Sequence, residues 1–279
     1  MVRKLFSRFQ KSLKQLASLR MVRVWMRSGY AAKGMIYLIV GLLALGGTLG
    51  LSLPLLGTEG TLSMMTQQPL GAFFLLLLAV GMAGYAFWRL VQALVDPEHD
   101  DSQSPLRLIQ RLGYASSSFS YASVAYAATK LMIGVQVEQD DTIEDLTAQL
   151  LESSWGVLLL ILAGLTVISI GLIYIYGGLS KAYISQFKAH CHDHITLFAT
   201  RLGQVGYAAR GVAFTAIGAG LVKATLLAQS EPAGGLQNAF QKIEDASYGR
   251  LGLGLIAAGF VAYAIYAFLV AIYRQFELR

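Results

Sequence analysis

Charged residues are scarce in this chain of 279 residues. They make up 14% of the sequence while hydrophobic residues make up 55%, and the mean hydropathy is +0.55. Soluble domains carry about 25% charged residues. A helix spans a bilayer with about 20 apolar residues, and this composition therefore predicts an all-α, polytopic membrane protein. Five stretches lack Asp, Glu, Lys and Arg altogether: residues 34–58, 60–88, 112–129, 153–180 and 251–273.

A sixth apolar stretch, at about residues 207–229, is interrupted only by Arg210 and Lys223. We therefore predict six transmembrane helices. No Asp or Glu lies within any of these spans, which excludes a relay of carboxylates that carries protons across the membrane. The sequence also offers no carboxylate pair, no nucleophile with a base and no convincing metal set near a membrane face, so we expect that the protein is not an enzyme.

Cysteine occurs once, at Cys191, so no disulfide forms within the chain. Three of the four histidines surround it, at His190, His192 and His194. Imidazole and thiolate groups suit zinc or copper, but no second pair of ligands and no recognised spacing accompanies them. We interpret the segment as a solvated linker, with a metal site as the alternative, and expect no cofactor.

Basic residues are distributed unevenly between the two sides of the predicted membrane protein. Of the 22 Lys and Arg residues, 18 lie on the side of the two termini and only four on the other side. The positive-inside rule then places both termini in the cytoplasm. Because these residues flank the spans, we expect anionic lipid headgroups at the cytoplasmic face as partners, together with a possible membrane protein, and no nucleic acid.

The N-terminal segment that precedes the first span has an amphipathic pattern. At helical spacing, Leu5, Phe9 and Leu13 share a face with two further leucines, and the basic residues lie opposite. This pattern predicts an interfacial helix over residues 1–26, with a basic tail as the alternative.

An internal repeat is the strongest signal in the sequence. The segment from Gly29 to Gly34, Gly-Tyr-Ala-Ala-Lys-Gly, recurs as Gly-Tyr-Ala-Ala-Arg-Gly from Gly206 to Gly211. A middle copy begins with Gly113. The second helices of the outer copies also match, which aligns Gly71, Gly81, Tyr85 and Ala86 with Gly249, Gly259, Tyr263 and Ala264.

With these Gly-Tyr-Ala-x-[Lys/Arg]-Gly openings, the chain resembles a bacterial family of integral membrane proteins built from three tandem two-helix repeats, known only as a domain of unknown function. The resemblance implies the fold and the membrane location and brings no catalytic residues. The middle copy departs from the pattern, because serines occupy positions 116–118 and its basic residue is lost. We place the repeats at residues 27–96, 111–183 and 201–276.

Repeats with an even number of spans return the chain to the same side of the membrane. The three copies therefore share one orientation, and we expect a pseudo-threefold axis along the membrane normal. Small residues recur two helical turns apart in each first helix and favour close helix packing, with a narrow path lined by these residues as the alternative. They are Gly34 and Gly41, Ser118 and Ala125, and Gly211 and Gly218.

Two pairs of basic residues and one serine face are candidate binding or path-lining groups. Lys33 and Arg210 suggest a collar for lipid phosphates, or side chains that snorkel to the interface. Lys130 and Lys223 both align with Gly46 near the opposite boundary, where they either snorkel or form an anion site. Interhelical hydrogen bonds, or a hydrated path, are expected along one face of the third span, which holds Ser116, Ser120 and Ser123.

Two functional classes remain. We favour a non-catalytic integral membrane protein that packs lipid or a partner protein through a bundle of three helix hairpins. The alternative is a channel or transporter for a small solute or anion along the pseudo-threefold axis. The absence of carboxylates from the spans favours the first class.

Overall fold

The computed structural model describes residues 12–13, 15–16, 19–95, 105–135, 141–180 and 193–274, without the side chains of 105–107, 109, 141, 142 and 193. These residues form nine helices: α1 (Arg20–Thr48), α2 (Thr58–Thr66), α3 (Gly71–Val95), α4 (Pro105–Met132), α5 (Asp141–Leu151), α6 (Ser154–Ser180), α7 (Asp193–Leu227), α8 (Leu236–Glu244) and α9 (Gly249–Tyr273). The prediction of an all-α chain is confirmed for this part of the sequence.

The helices follow one order three times, in which a long helix, a short helix and a second long helix succeed one another. The short helices begin at residues 58, 141 and 236, close to the spacing that separates the copies in the sequence. They lie in connections that the sequence analysis left without structure. In each copy, the connection between the two long helices therefore contains a short helix of its own.

Within the described residues, five helices are long and apolar enough to cross a membrane, namely α1, α3, α6, α7 and α9. The chain is therefore a multi-pass helical membrane protein. Helix α4 is 28 residues long, but serines and tyrosines lower its hydropathy and it is not among the five. The predicted amphipathic helix 1–26 lies largely outside the described residues, and its last part, from Arg20 onwards, belongs to α1.

The first long helix of each copy ends with the same backbone turn. Gly50, Gly134 and Ala228 have positive φ angles of 86°, 81° and 52°. The residue after each of them donates a hydrogen bond from its backbone amide to the carbonyl of the residue five positions before the donor, at 2.9–3.0 Å. This left-handed termination satisfies carbonyls that have no partner inside the helix.

The chain divides into two compact units. The first comprises Met1–Lys33, Met65–Val135 and Ala267–Arg279, and the second comprises Gly34–Met64 and Gln136–Tyr266. In the first unit, α3 packs against the beginning of α1 and against α4. In the second unit, α6 packs along α7, and α9 packs against both α7 and the later part of α1.

Candidate functional site

Two basic residues at equivalent positions of the first and third copies are buried rather than solvated. Lys33 is 3% exposed and Arg210 is 2% exposed. Lys33 Nζ donates a hydrogen bond to the Tyr85 hydroxyl at 3.2 Å, and Arg210 Nη1 donates one to the Tyr263 hydroxyl at 2.7 Å. Tyr85 and Tyr263 are themselves equivalent in the repeat. The sequence repeat is therefore also a repeat of one buried contact.

Aromatic rings surround both cations. The Lys33 ammonium lies 4.7 Å and 5.0 Å from the ring centres of Tyr85 and Tyr121. The Arg210 guanidinium lies 4.5–5.5 Å from four ring centres, those of Tyr37, Tyr174, Phe214 and Tyr263. A cation over a ring face is attracted by the ring quadrupole, most strongly where water is excluded. We call these two sites the Lys33 cage and the Arg210 cage.

The Lys33 cage contains a second cation. Arg89 Nε and Nη2 donate hydrogen bonds to the Tyr85 hydroxyl at 3.0 Å and 2.6 Å, and Arg89 Nη1 donates one to Gln92 Oε1 at 3.0 Å. The Tyr85 oxygen therefore accepts hydrogen bonds from both Lys33 and Arg89. Arg89 was not predicted, because alanine occupies its repeat-equivalent position, Ala267.

A third cage holds the end of the last helix. Arg274 is 1% exposed, donates a hydrogen bond to the Tyr30 hydroxyl and lies 5.2 Å and 5.6 Å from the ring centres of Tyr30 and Trp88. Its carbonyl accepts a hydrogen bond from Arg27 Nη2 at 3.0 Å. No repeated motif marks Arg274 in the sequence, so this contact was also missed.

The glycine and tyrosine of the repeated opening have separate roles. A Cβ on Gly29 would lie 2.6 Å from the Tyr85 backbone nitrogen, and a Cβ on Gly206 would lie 2.6 Å from the Tyr263 Cα. The glycine therefore allows a close approach of the second helix. The tyrosine of the motif packs edge to face against the ring of the same second-helix tyrosine. The ring centres of Tyr30 and Tyr85 are 4.9 Å apart, and their ring planes meet at 87°. Tyr207 and Tyr263 repeat this contact at 5.6 Å and 69°.

The small residues of the first helices lie at contacts between helices. A Cβ on Gly211 would lie 2.6 Å from the Gly171 carbonyl oxygen, and one on Gly218 would lie 2.7 Å from that of Gly164. We call this α6–α7 contact the glycine seam. Gly41 approaches the Ala257 carbonyl in the same way, at 3.0 Å.

The small residues equivalent to Gly211 in the other two copies are covered as well. Gly34 is buried. Ser118, its equivalent in the middle copy, is half-buried and donates a hydrogen bond from Oγ to the Ala86 carbonyl at 2.8 Å.

The basic residues at the other ends of these helices have different surroundings. Lys130 is half-buried with its ammonium 5.5 Å from the Tyr126 ring centre, whereas Lys223 is exposed. Lys130 lies four residues before Gly134, whereas Lys223 lies five residues before Ala228. Compared with α4, helix α7 therefore has one additional residue between its opening motif and its left-handed end. The two lysines therefore do not share one position relative to the helix end.

Lys242, on α8, is a further basic residue near Lys223. Its ammonium donates a hydrogen bond to the Pro232 carbonyl. Burial lowers the pKa of Lys242 from its usual value, and the charge of Lys223 lowers it further, whereas Glu231 and Glu144 raise it.

The other candidates from the sequence are exposed or undescribed. Ser116, Ser120 and Ser123 are exposed on α4, and Ser123 Oγ donates a hydrogen bond to the Phe119 carbonyl at 3.2 Å. His194 is exposed at the beginning of α7. Within the described ranges, no group of three or more His, Cys, Asp or Glu residues is placed to hold a metal ion. The remaining members of the proposed cluster, His190, Cys191 and His192, lie outside those ranges.

Comparison with known proteins gives a family and a relative. The family described as Domain of Unknown Function (DUF1206) matches residues 28–96, 112–181 and 205–274. The uncharacterized protein YxxB of Bacillus subtilis is 26% identical over 251 residues, which cover 89% of this chain and 90% of that protein. No solved structure matches the chain. The three tandem matches confirm the predicted resemblance, and the chain belongs to the family of the Domain of Unknown Function (DUF1206).

Proposed function

We propose that the protein crosses the membrane six times, with α4 as the sixth span. Helix α4 is long enough, at 28 residues or about 42 Å, and residues 112–129 at its centre are free of charge. It is joined to α3 by Arg111, whose guanidinium donates hydrogen bonds to the Ala93 and Leu94 carbonyls at 2.7 Å and 2.9 Å. With six spans the two termini lie on one side, which agrees with the distribution of basic residues.

We propose that the three copies are related by a pseudo-threefold axis. Two contacts between copies support this arrangement, because they run in the same direction. Lys33 of the first copy meets Tyr121 of the middle copy, and Arg210 of the third copy meets Tyr37 of the first copy. Tyr37 and Tyr121 are equivalent in the alignment that pairs Gly29 with Gly113.

We propose that the protein is a non-catalytic membrane module that packs anionic lipid or a partner protein around three helix hairpins, in a bacterial inner membrane with both termini in the cytoplasm. The glycine seam carries this proposal. Two of the candidates for lining a path, Gly211 and Gly218, contact the backbone of a neighbouring helix there. The cages likewise cover Lys33 and Arg210 with aromatic rings. Both observations favour packing over conduction.

Anionic lipid is the proposed partner at the proposed cytoplasmic face, and the exposure of Arg20, Arg23 and Arg201, which the positive-inside rule assigns to that face, supports it. Each basic residue near an anionic surface contributes about 1 kcal/mol of attraction. The buried Lys33 and Arg210 are not part of this surface. A channel for an anion or small solute remains the alternative, with the exposed Lys223 as the residue that favours it.

Retention of phosphatidylglycerol tests the lipid proposal. The triple variant Arg20→Gln, Arg23→Gln, Arg201→Gln is reconstituted in nanodiscs that contain phosphatidylglycerol and phosphatidylcholine, released into detergent and examined by native mass spectrometry. We expect fewer bound phosphatidylglycerol molecules and unchanged phosphatidylcholine. Arg250→Gln is the matched control, because Arg250 is exposed at the opposite end of the spans. Equal retention by the triple variant and the control would contradict the proposal.

A further inference from the structure

Three large apolar side chains lie exposed at the N-terminal ends of α3, α6 and α9. Leu70 directly precedes α3, Trp155 is the second residue of α6, and Tyr248 directly precedes α9. Their exposed fractions are 72%, 78% and 89%. Leu70 and Tyr248 are equivalent in the alignment that pairs Gly71 with Gly249. Each copy therefore presents one such side chain at the same end of its second long helix.

Leu70 and Tyr248 adopt a left-handed backbone conformation that is unfavourable for residues with a Cβ atom. Their φ angles are 65° and 61°, and the left-handed region costs about 1–2 kcal/mol for a residue with a Cβ. Both also hold the cap position, since their carbonyls accept the first helical hydrogen bonds, from Phe74 and Gly252, at 3.1 Å.

The middle copy also exposes a large apolar side chain at the beginning of its second long helix, but its local backbone structure differs. Ser153 holds the cap position, because its carbonyl accepts a hydrogen bond from Val157 at 3.0 Å and its Oγ accepts one from the Gly156 amide at 3.0 Å. The large side chain is then two residues further on, at Trp155. Since the local structure differs while the exposed apolar side chain remains, the side chain rather than the turn is the common feature.

We propose that Leu70, Trp155 and Tyr248 insert into the interfacial region of the lipid bilayer and anchor these ends of the spans. Burial of a large apolar side chain is worth about 1.5–3 kcal/mol, which offsets the cost of the left-handed backbone at Leu70 and Tyr248.

The lengths of the helices place the three residues at this depth. Helices α3, α6 and α9 have 25, 27 and 25 residues, or about 38–40 Å, against about 30 Å of hydrocarbon. Their first residues therefore reach the interface, where Trp and Tyr are enriched. The exposed Phe73, Leu158 and Leu251 continue the apolar surface along the spans.

Depth-dependent fluorescence quenching tests the proposal. In a Cys191→Ser background, Leu70→Cys, Trp155→Cys and Tyr248→Cys are each labelled with an environment-sensitive fluorophore and reconstituted in phosphatidylcholine vesicles. Nitroxides are carried on the lipid headgroup, high on the acyl chain or deep on the acyl chain. The controls are Gln68→Cys, Glu152→Cys and Ala246→Cys, which are exposed and lie two to three residues away.

We expect the labels at positions 70, 155 and 248 to be quenched most by the shallow acyl-chain nitroxide, at a depth of about 5–10 Å below the headgroups. The controls should respond to aqueous iodide and not to the acyl-chain nitroxides. If the label at position 70 or 248 matches its control, these side chains face water and the proposal is wrong. Because three independent positions are read, the loss of one variant through misfolding leaves the test decisive.

Discussion

A cation inside a membrane protein needs surroundings that replace water, and the two cages do this with different residues. Arg210 lies against four rings, which suits a planar guanidinium that stacks on aromatic faces. Lys33 lies against the rings of Tyr85 and Tyr121 and shares the Tyr85 hydroxyl with Arg89, which suits a compact ammonium group.

Loss of the accepting hydroxyl should destabilise both cages. We expect Tyr85→Phe and Tyr263→Phe each to lower the free energy of unfolding by about 1–3 kcal/mol, because a buried charged donor loses one acceptor while the ring remains. Tyr85→Phe should cost more, since its oxygen accepts hydrogen bonds from two cations. Thermal melting in mild detergent measures both. Tyr176→Phe, at an exposed side chain, is the control, and an equal loss there would contradict the role of the hydroxyls.

The glycine of the repeated opening gives a test with an internal control. Gly29, Gly113 and Gly206 are equivalent, but a Cβ on Gly113 would meet nothing within 4 Å, whereas the other two face the Tyr85 and Tyr263 backbones at 2.6 Å. We expect Gly29→Ala and Gly206→Ala to destabilise the protein by about 1–3 kcal/mol through overpacking.

Gly113→Ala should instead stabilise the protein by up to about 1 kcal/mol through helix propensity. The melting temperatures of the three variants decide the outcome. If Gly113→Ala lowers stability as much as the other two, the close approach of the second helix is not the reason for the motif.

At the scale of elements, the sequence predicted the long helices well and the short ones not at all. Runs free of charge, such as residues 60–88, mark a span whatever its neighbours are. The short helix α8 has no such run, and it buries only Ala239 and Phe240, so its stability depends on tertiary contacts that the pattern does not reveal. Similarly, the motif identified Lys33 and Arg210, whereas Arg89 and Arg274 join their cages only through the packing of α3 and α9.

The ends of the first helices give a prediction about backbone conformation. Gly50 and Gly134 hold the left-handed position without strain, but Ala228 holds the same position with a Cβ. We expect Ala228→Gly to raise the free energy of unfolding by about 1 kcal/mol, because the left-handed region costs about 1–2 kcal/mol for a residue with a Cβ.

Gly50→Ala and Gly134→Ala are the reciprocal changes. A Cβ at either position would meet nothing within 4 Å, so their expected loss of about 1–2 kcal/mol reports the backbone alone. Chemical unfolding in a denaturing detergent, with all three variants compared, measures these differences. A loss of stability in Ala228→Gly would show that the third copy ends its helix differently.

On the scale of the whole molecule, the middle copy differs from its neighbours at the residues that form the cages. Ser117 occupies the position of Lys33 and Arg210, and Gly113 has an open face. Among the described residues, the cations of the two cages belong to the first and the third copy, while the middle copy contributes Tyr121 and Tyr174 to these cages. A chain built from three similar copies has in this way become asymmetric, which favours specialised packing contacts over three equal parts of a pore.

Ion flux separates the packing module from the channel. Chloride and potassium fluxes are measured in vesicles that contain the wild-type protein, the double variant Lys130→Ala, Lys223→Ala, or Arg250→Ala as a control with a different exposed cation. We expect no flux above that of empty vesicles, because the glycine seam and the cages leave their small and basic residues covered.

A chloride flux that is lost in the double variant and kept in Arg250→Ala would overturn the packing proposal in favour of an anion channel. Lysines and hydroxyl dipoles are the polar groups that the spans offer repeatedly, and they favour anions. Potassium flux of the wild type would contradict both, because the spans offer a cation no carboxylate.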